Sequence, residues 1–290
     1  MLEMDSQNIV GIVLKNKVSV LIILALAIIC SIIFSSKTFI KPLYKSTVIL
    51  YPTTTYSVSK AIMNTNNLIY VDPLEIGEEA QTDQMLQILN STVIRDKIIE
   101  KYDLANHYGI DKDSDYKQTK LFKAYENKIR IRRTEYNSVK ITVYDTDAQM
   151  ASDIANDIAA LFDETMNNMQ KDIALKALEI VEKEYNNTRQ NIINLEDSLR
   201  LHPNSGLYQY EIDLEKSNLN LLKMKYDDAR INATETIPHK LVVSKAYPAD
   251  RQVYPIRWVI VTVTFFATLI IIIMILAAFE YSENKKKQNE

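Results

Sequence analysis

Residues 178–231 read LEIVEKEYNNTRQNIINLEDSLRLHPNSGLYQYEIDLEKSNLNLLKMKYDDARI, two apolar trains separated by a break. In the first, Leu178, Val181, Tyr185, Thr188, Ile192, Leu195 and Leu199 fall three and four apart in alternation. That is the a/d rhythm of a helix packing along another helix. His202-Pro203-Asn204-Ser205-Gly206 interrupts it, and the rhythm resumes at Leu207, Tyr210, Leu214, Ser217, Leu221, Met224, Asp228 and Ile231. The two stretches cover ~22 and ~25 residues, ~33–37 Å each at 1.5 Å per residue. Equal arms joined by a short Pro/Gly turn predict an antiparallel coiled-coil hairpin over residues 178–234.

Upstream, the helical pattern extends back to Asp147 without Gly or Pro. Ala151, Ile154, Ala155, Ile158 and Phe162 give it a broad apolar face suited to covering a sheet, so residues 147–177 are expected to pack on a base. Before them stands KIRIRRTEYNSVKITVYDTD (128–147). Ile129 and Ile131 alternate with Arg130 and Arg132, and Val139, Ile141 and Val143 alternate with Lys140, Thr142 and Tyr144. Period-2 patterning on both sides of Tyr136-Asn137-Ser138 predicts a β-hairpin with one buried face. Its polar face is expected to carry Lys128, Arg130, Arg132 and Lys140, a cationic group suited to an anionic glycan or to a neighbouring protomer.

Further back, Leu43 to Tyr51 reads as a strand rich in β-branched and aromatic residues. A polar loop is expected from Pro52 to about Gly77. Thr82 or Asp83 is the expected cap of a helix carrying Met85, Leu86, Ile88 and Leu89. Ser91 or Thr92 starts a second helix with Val93, Ile94, Ile98 and Tyr102, and Tyr116 to Asn127 makes a third. After the hairpin, His239 to Tyr247 reads as a strand. The class is therefore α+β: a base over 41–146, the long helix and hairpin, and a returning strand with a proline-rich segment over 235–257.

Two apolar blocks flank all of this. The first is placed at 18–40 and the second at 258–279, each of a length able to cross a hydrocarbon core of ~30 Å. A cleaved signal peptide is the alternative for the first, but its apolar run exceeds a normal h-region and no A-x-A-like site follows. Two spans put residues 1–17 and 280–290 on one side as short tails and the bulk on the other. Lys/Arg counts at the two ends nearly tie, and a long loop translocates largely regardless of charge. The expected arrangement is cytoplasmic tails and an outer middle domain. If the strands at 43–51 and 239–247 pair, the chain leaves and re-enters the membrane through one sheet. Pro248 is then expected to end the last strand and Pro255 to sit in the first turn of the second span. Arg257 and Trp258 are expected at headgroup depth.

Composition narrows the function. With 34 Lys+Arg against 37 Asp+Glu the chain has no basic excess for nucleic acid. Four glycines in all argue against phosphate-cradling loops, and the single cysteine, Cys30, lies in the first apolar block. Asp111-Lys112-Asp113-Ser114-Asp115 resembles the start of a calcium loop, but Tyr116 and Phe122 stand where such a loop needs Gly and Glu. His107, His202 and His239 lack metal-ligand spacing. Asp163 and Glu164 read as a solvated helix face. With no nucleophile–base constellation, the expectation is a non-enzyme without metal or cofactor.

The order of parts resembles the Wzz-type chain-length determinants, the polysaccharide co-polymerases. The resemblance is carried by YKSTVILYP (44–52), QMLQILNSTVIRDKIIEKYDL (84–104) and AYPADRQVYPIRW (246–258). Such proteins often carry three or more prolines in the last motif, where this chain has Pro248 and Pro255, and spaced glycines in the second span, where this chain has none. The resemblance implies a bacterial inner-membrane protein with two transmembrane helices and a periplasmic base bearing a helical hairpin. It also implies a homo-oligomer that works with a Wzy-type polymerase on an undecaprenyl-linked polysaccharide, O-antigen or capsule, and sets its chain length. A two-span sensor or adaptor, or a polysaccharide-export accessory, are the competing classes.

Overall fold

The computed structural model describes residues 16–53, 78–111 and 113–288; the polar loop expected after Pro52 and most of the N-terminal tail lie outside them. The chain divides into two compact units, one of Met1–Lys45, Tyr144–Ala151 and Pro248–Glu290, the other of Ser46–Val143 and Ser152–Tyr247.

The first unit holds the two apolar helices. α1 is Lys17–Phe34 and ends six residues before the expected boundary at residue 40. Ser35 and Ser36 close its last turns, and Ser36 C=O accepts from Phe39 and Ile40 N–H in a separate turn as Lys37 ends the apolar run. The last helix of the chain, Arg257–Gln288, continues past its apolar part into the expected tail. Lys17–Phe34 and Arg257–Phe279 are each long and apolar enough to cross a membrane. The two helices pack together, and the buried residues of α1 are Val20 and Ser31.

The second unit is an antiparallel-paired sheet, short helices and the helical hairpin. β1 (Tyr44–Pro52) is followed by α2 (Glu79–Leu89), α3 (Thr92–Lys101), α4 (Leu104–His107) and α5 (Lys117–Lys128). Then come β2 (Ile129–Arg133), β3 (Val139–Asp145), α6 (Ala148–Leu201), α7 (Gly206–Thr234) and β4 (Lys240–Ser244), before α8 (Arg257–Gln288). The sheet order is β2-β3-β1-β4. β2 and β3 pair in the register Ile129↔Val143, Ile131↔Ile141 and Arg132↔Lys140. Asn137 takes a left-handed φ of 55° in their turn, a conformation Asn tolerates better than most residues. β1 pairs antiparallel with β4 from Ile49↔Ser244 to Pro52↔Lys240, so the strand after the first span and the strand before the second do meet.

The core lies where α6 covers the sheet. Val48, Leu50, Val139, Ile141 and Val143 from the strands are fully buried, as are Ile154, Ala155 and Ile158 from α6 and Met85, Ile94 and Ile98 from α2 and α3. Asp147 caps α6, its carboxylate accepting from the N–H of Gln149 at 2.8 Å and Met150 at 3.3 Å. The expected cap of α2 is corrected. The helix begins at Glu79 after Glu78, and Thr82 lies buried within it, donating to Glu78 C=O and to Asn137 C=O across the turn. The hydroxyl that resembled a helix start ties α2 to the β2–β3 turn instead.

α6 and α7 run antiparallel: Tyr185 stacks on Tyr226 at 6.2 Å, and nearer the tip Lys216 pairs with Glu196 at 3.1 Å. On α6 the predicted a/d residues do face inward, with Thr188 and Ile192 buried. On α7 the phase is wrong. Leu207, Tyr210 and Met224 are 64%, 66% and 60% exposed, whereas Ile212, Ala229 and Ala233 are buried. The inward seam runs through Tyr208, Ile212, Leu219, Leu222, Tyr226, Ala229 and Ala233. Two stripes of similar spacing lie on α7, and the one that packs ends in Ala229 and Ala233 near the base.

Candidate functional site

Two groups of residues carry the functional expectations, one in each unit. In the second unit the β2–β3 register places Arg130, Arg132, Lys140 and Thr142 on one face and Ile129, Ile131, Val139, Ile141 and Val143 on the other. Arg130 and Arg132 are exposed and Lys140 half-buried. Arg132 stands directly opposite Lys140, a like-charge pairing that costs stability. Lys128 is not part of this face. It ends α5, and its ammonium lies 4.5 Å from the centroid of the Tyr108 ring.

The neighbouring Arg133 points the other way and is structural. It donates to Glu79 at 2.7 Å and to Asn137 Oδ1, joining α2 to the hairpin turn. The hydrogen bond and charge of Arg133 hold the Glu79 carboxyl below its ordinary range. Beside β2 a cavity of about 390 Å³ is lined by residues of α3, α5 and β2, including Arg95, Arg130 and Arg132.

In the first unit Pro248, Pro255, Arg257 and Trp258 lie on the chain that leads into α8. Their expected roles need correction. β4 ends at Ser244, four residues before Pro248, because Asn156 on α6 takes both backbone groups of Ala246, at 3.1 and 3.0 Å. The strand stops where a side chain replaces its neighbour. Pro255, joined to Tyr254 by a cis peptide bond, is buried just outside the helix; Ile256 C=O accepts the first helical bonds, from Val259 and Ile260. The segment between the prolines bends at Asp250 and Arg251 and then pairs with the chain leaving α1. Leu43 N–H donates to Tyr254 C=O at 3.0 Å, and Val253 N–H to Leu43 C=O at 2.8 Å. The two entrances are therefore hydrogen-bonded to each other. Lys37, Tyr44, Arg251, Arg257 and Trp258 line a cavity of about 720 Å³ there, with Asp250 among them.

Of the two carboxylates read as a solvated face, Glu164 is exposed and Asp163 is half-buried. Asp163 accepts from His239 N–H at 2.9 Å and pairs with the Lys240 ammonium, whose side chain is 9% exposed. Asn167 accepts from Ile237 N–H and donates to its C=O, both at 3.1 Å. With Asn156 these residues form a polar stripe at i, i+7 and i+11 of α6 that holds the backbone of residues 237–246. Its partner Glu164 pairs with Lys97 at 2.8 Å. No local signal singles out Asn156 and Asn167, because α6 holds seven asparagines in all. Among the described residues no cluster of His, Cys, Asp or Glu could hold a metal ion.

Residues 2–102 match the family model described as Wzz, chain length determinant protein. That match spans about a third of the chain. The two apolar helices fit a membrane anchor. No curated protein matches it. Among solved structures it is similar to a full-length bacterial polysaccharide co-polymerase at 13% identity and TM-score 0.49, covering 98% of this chain and 99% of that one. It is also similar to a WzzB fragment from Salmonella Typhimurium (15%, TM-score 0.30, 73% and 100% covered) and to a point mutant of the Shigella flexneri O-antigen chain-length regulator WzzB (11%, TM-score 0.28, 72% and 99% covered). At these TM-scores no residue detail carries over to this chain.

Proposed function

We propose that this protein is a polysaccharide co-polymerase of the bacterial inner membrane. It regulates the chain length of a surface polysaccharide, O-antigen or capsule, and is not itself an enzyme. Residues 41–257 face the periplasm between two membrane helices, and several protomers assemble side by side around a Wzy-type polymerase and its undecaprenyl-linked glycan. The Pro248-to-Trp258 segment, bonded to Leu43, couples the outer part to the lipid bilayer.

The observation that supports assembly most directly is the second stripe on α7. Leu207, Tyr210, Leu214, Leu221 and Met224 keep heptad spacing over about five turns and all are exposed. α6 adds the exposed Ile173, Ile180 and Ile193. An apolar stripe rimmed by charge marks an interaction surface, and a heptad stripe is met by another helix; a second copy supplies one.

Two tests follow. Deleting the gene should abolish the modal band of the surface glycan on a gel while leaving some glycan at the surface; complete loss would point to export. The Leu214→Glu/Leu221→Glu variant should leave the circular-dichroism helix content unchanged, reduce the oligomer to smaller species on size exclusion in detergent, and spread the glycan length distribution. An intact oligomer in that variant would refute assembly through α7.

A further inference from the structure

We propose that the cavity beside β2 binds a sugar unit bearing an oxyanion, a carboxylate or a phosphate. It is lined by Ser91, Arg95, Tyr125, Glu126, Arg130 and Arg132 among others, and its volume of about 390 Å³ lies at the small end of the ~300–1,000 Å³ of small-molecule sites. One sugar ring suits it better than an extended peptide.

Three arginines from two elements line it, and a guanidinium fork matches a planar carboxylate or a phosphate. Arg95 is held in place beforehand. Its guanidinium lies 3.5 Å from the Phe122 ring centroid, and its Nε donates to Asp96 at 2.9 Å. Glu126 adds one carboxylate, which would repel a bare anion but accepts from sugar hydroxyls. The ligand that satisfies both is an anion that also carries hydroxyl donors.

Two hydroxyls point to the same occupant. Tyr125 is 7% exposed, and its hydroxyl has no hydrogen-bond partner in the protein. Burial raises its pKa, so it remains a neutral donor. Ser91 occupies the N-cap position of α3, yet its side chain caps nothing and its Oγ is buried without a partner. Each such group left unmet costs folding free energy. Both of these lie in the wall that also holds the three arginines.

The choice of a sugar rests on the glycan-handling function proposed above; the anion site itself rests on the cavity. The test uses the full chain in detergent micelles, titrated calorimetrically with glucuronic acid, glucose 1-phosphate and glucose. One or both of the first two should bind, and glucose should bind at least about tenfold more weakly, as loss of charge-assisted bonds implies. Which of the two anions binds identifies the oxyanion. Arg130→Ser/Arg132→Ser should weaken binding by about tenfold or more. Tyr125→Phe should weaken it several-fold while leaving the thermal midpoint unchanged or higher, since it deletes an unpartnered hydroxyl.

The site is overturned if glucose binds as well as the anions, if neither anion binds, or if the double variant binds normally. It is also overturned if Tyr125→Phe lowers the midpoint without changing affinity, because the hydroxyl would then be structural. Length control and the site separate cleanly. Normal binding with an unaltered glycan length in the deletion strain would remove the proposed function and leave the anion site standing.

Discussion

Asp163→Ala is expected to destabilise the folded chain by about 3–5 kcal/mol, the range for removing one partner of a buried ion pair. The carboxylate does two jobs at once. It accepts the His239 N–H and neutralises the Lys240 ammonium, and both partners belong to the start of β4. Without it an almost fully buried cation and a buried backbone donor lose their acceptor. For a unit of this size the shift corresponds to roughly 6–20 °C in thermal midpoint, measurable on the detergent-solubilised protein by intrinsic fluorescence. Lys240→Met in the same background should recover most of the loss, because a buried pair replaced by apolar groups is close to neutral. A double variant as unstable as Asp163→Ala alone would mean that the backbone contact, rather than the charge, dominates.

Ile158→Ala is expected to cost about 2–5 kcal/mol, the transfer free energy of the lost methylenes plus the cavity left behind. Ile158 is fully buried where α6 covers the sheet, and a close-packed interior relaxes only partly around such a deletion. The matched control is Ile180→Ala, farther along the same helix at a position exposed within one protomer, which should change the stability of the dissociated protomer by under about 0.5 kcal/mol. The contrast should appear in the denaturant midpoint of the full chain with an unchanged slope. Equal effects at both positions would show that the exposed face of α6 is covered in solution, as assembly requires, and a rise of the Ile180→Ala effect with protein concentration would identify the cover as a second copy.

The strands and the long helix were legible because their physics is local. Alternation at Ile129–Ile131 and Val139–Val143 fixes which face is buried, and Asp147 has the chemistry of a cap. The apolar face of Ile154 and Ile158 likewise announces a sheet beneath it. What could not be read depended on partners distant in sequence. On α7 two apolar stripes have similar spacing, and only the contact with α6 shows that the one through Ile212, Ala229 and Ala233 faces inward. Asp163 looked like any charged residue of a helix because Lys240, 77 positions later, is invisible from its neighbourhood. Ser91 was read correctly as a helix start, yet its side chain does not cap. Arg130 and Arg132 were recognisable as a cationic face. The walls that turn that face into a cavity come from α3 and α5, which periodicity cannot bring to β2.

From Ser152 to Leu201 α6 is an unbroken rod of about 75 Å at 1.5 Å per residue. One end is clamped over the strands and stitched to residues 237–246; the other carries the tip. Such a rod behaves as a lever with its fulcrum on the sheet. Sideways load on the far turn therefore becomes torque on the three polar clips.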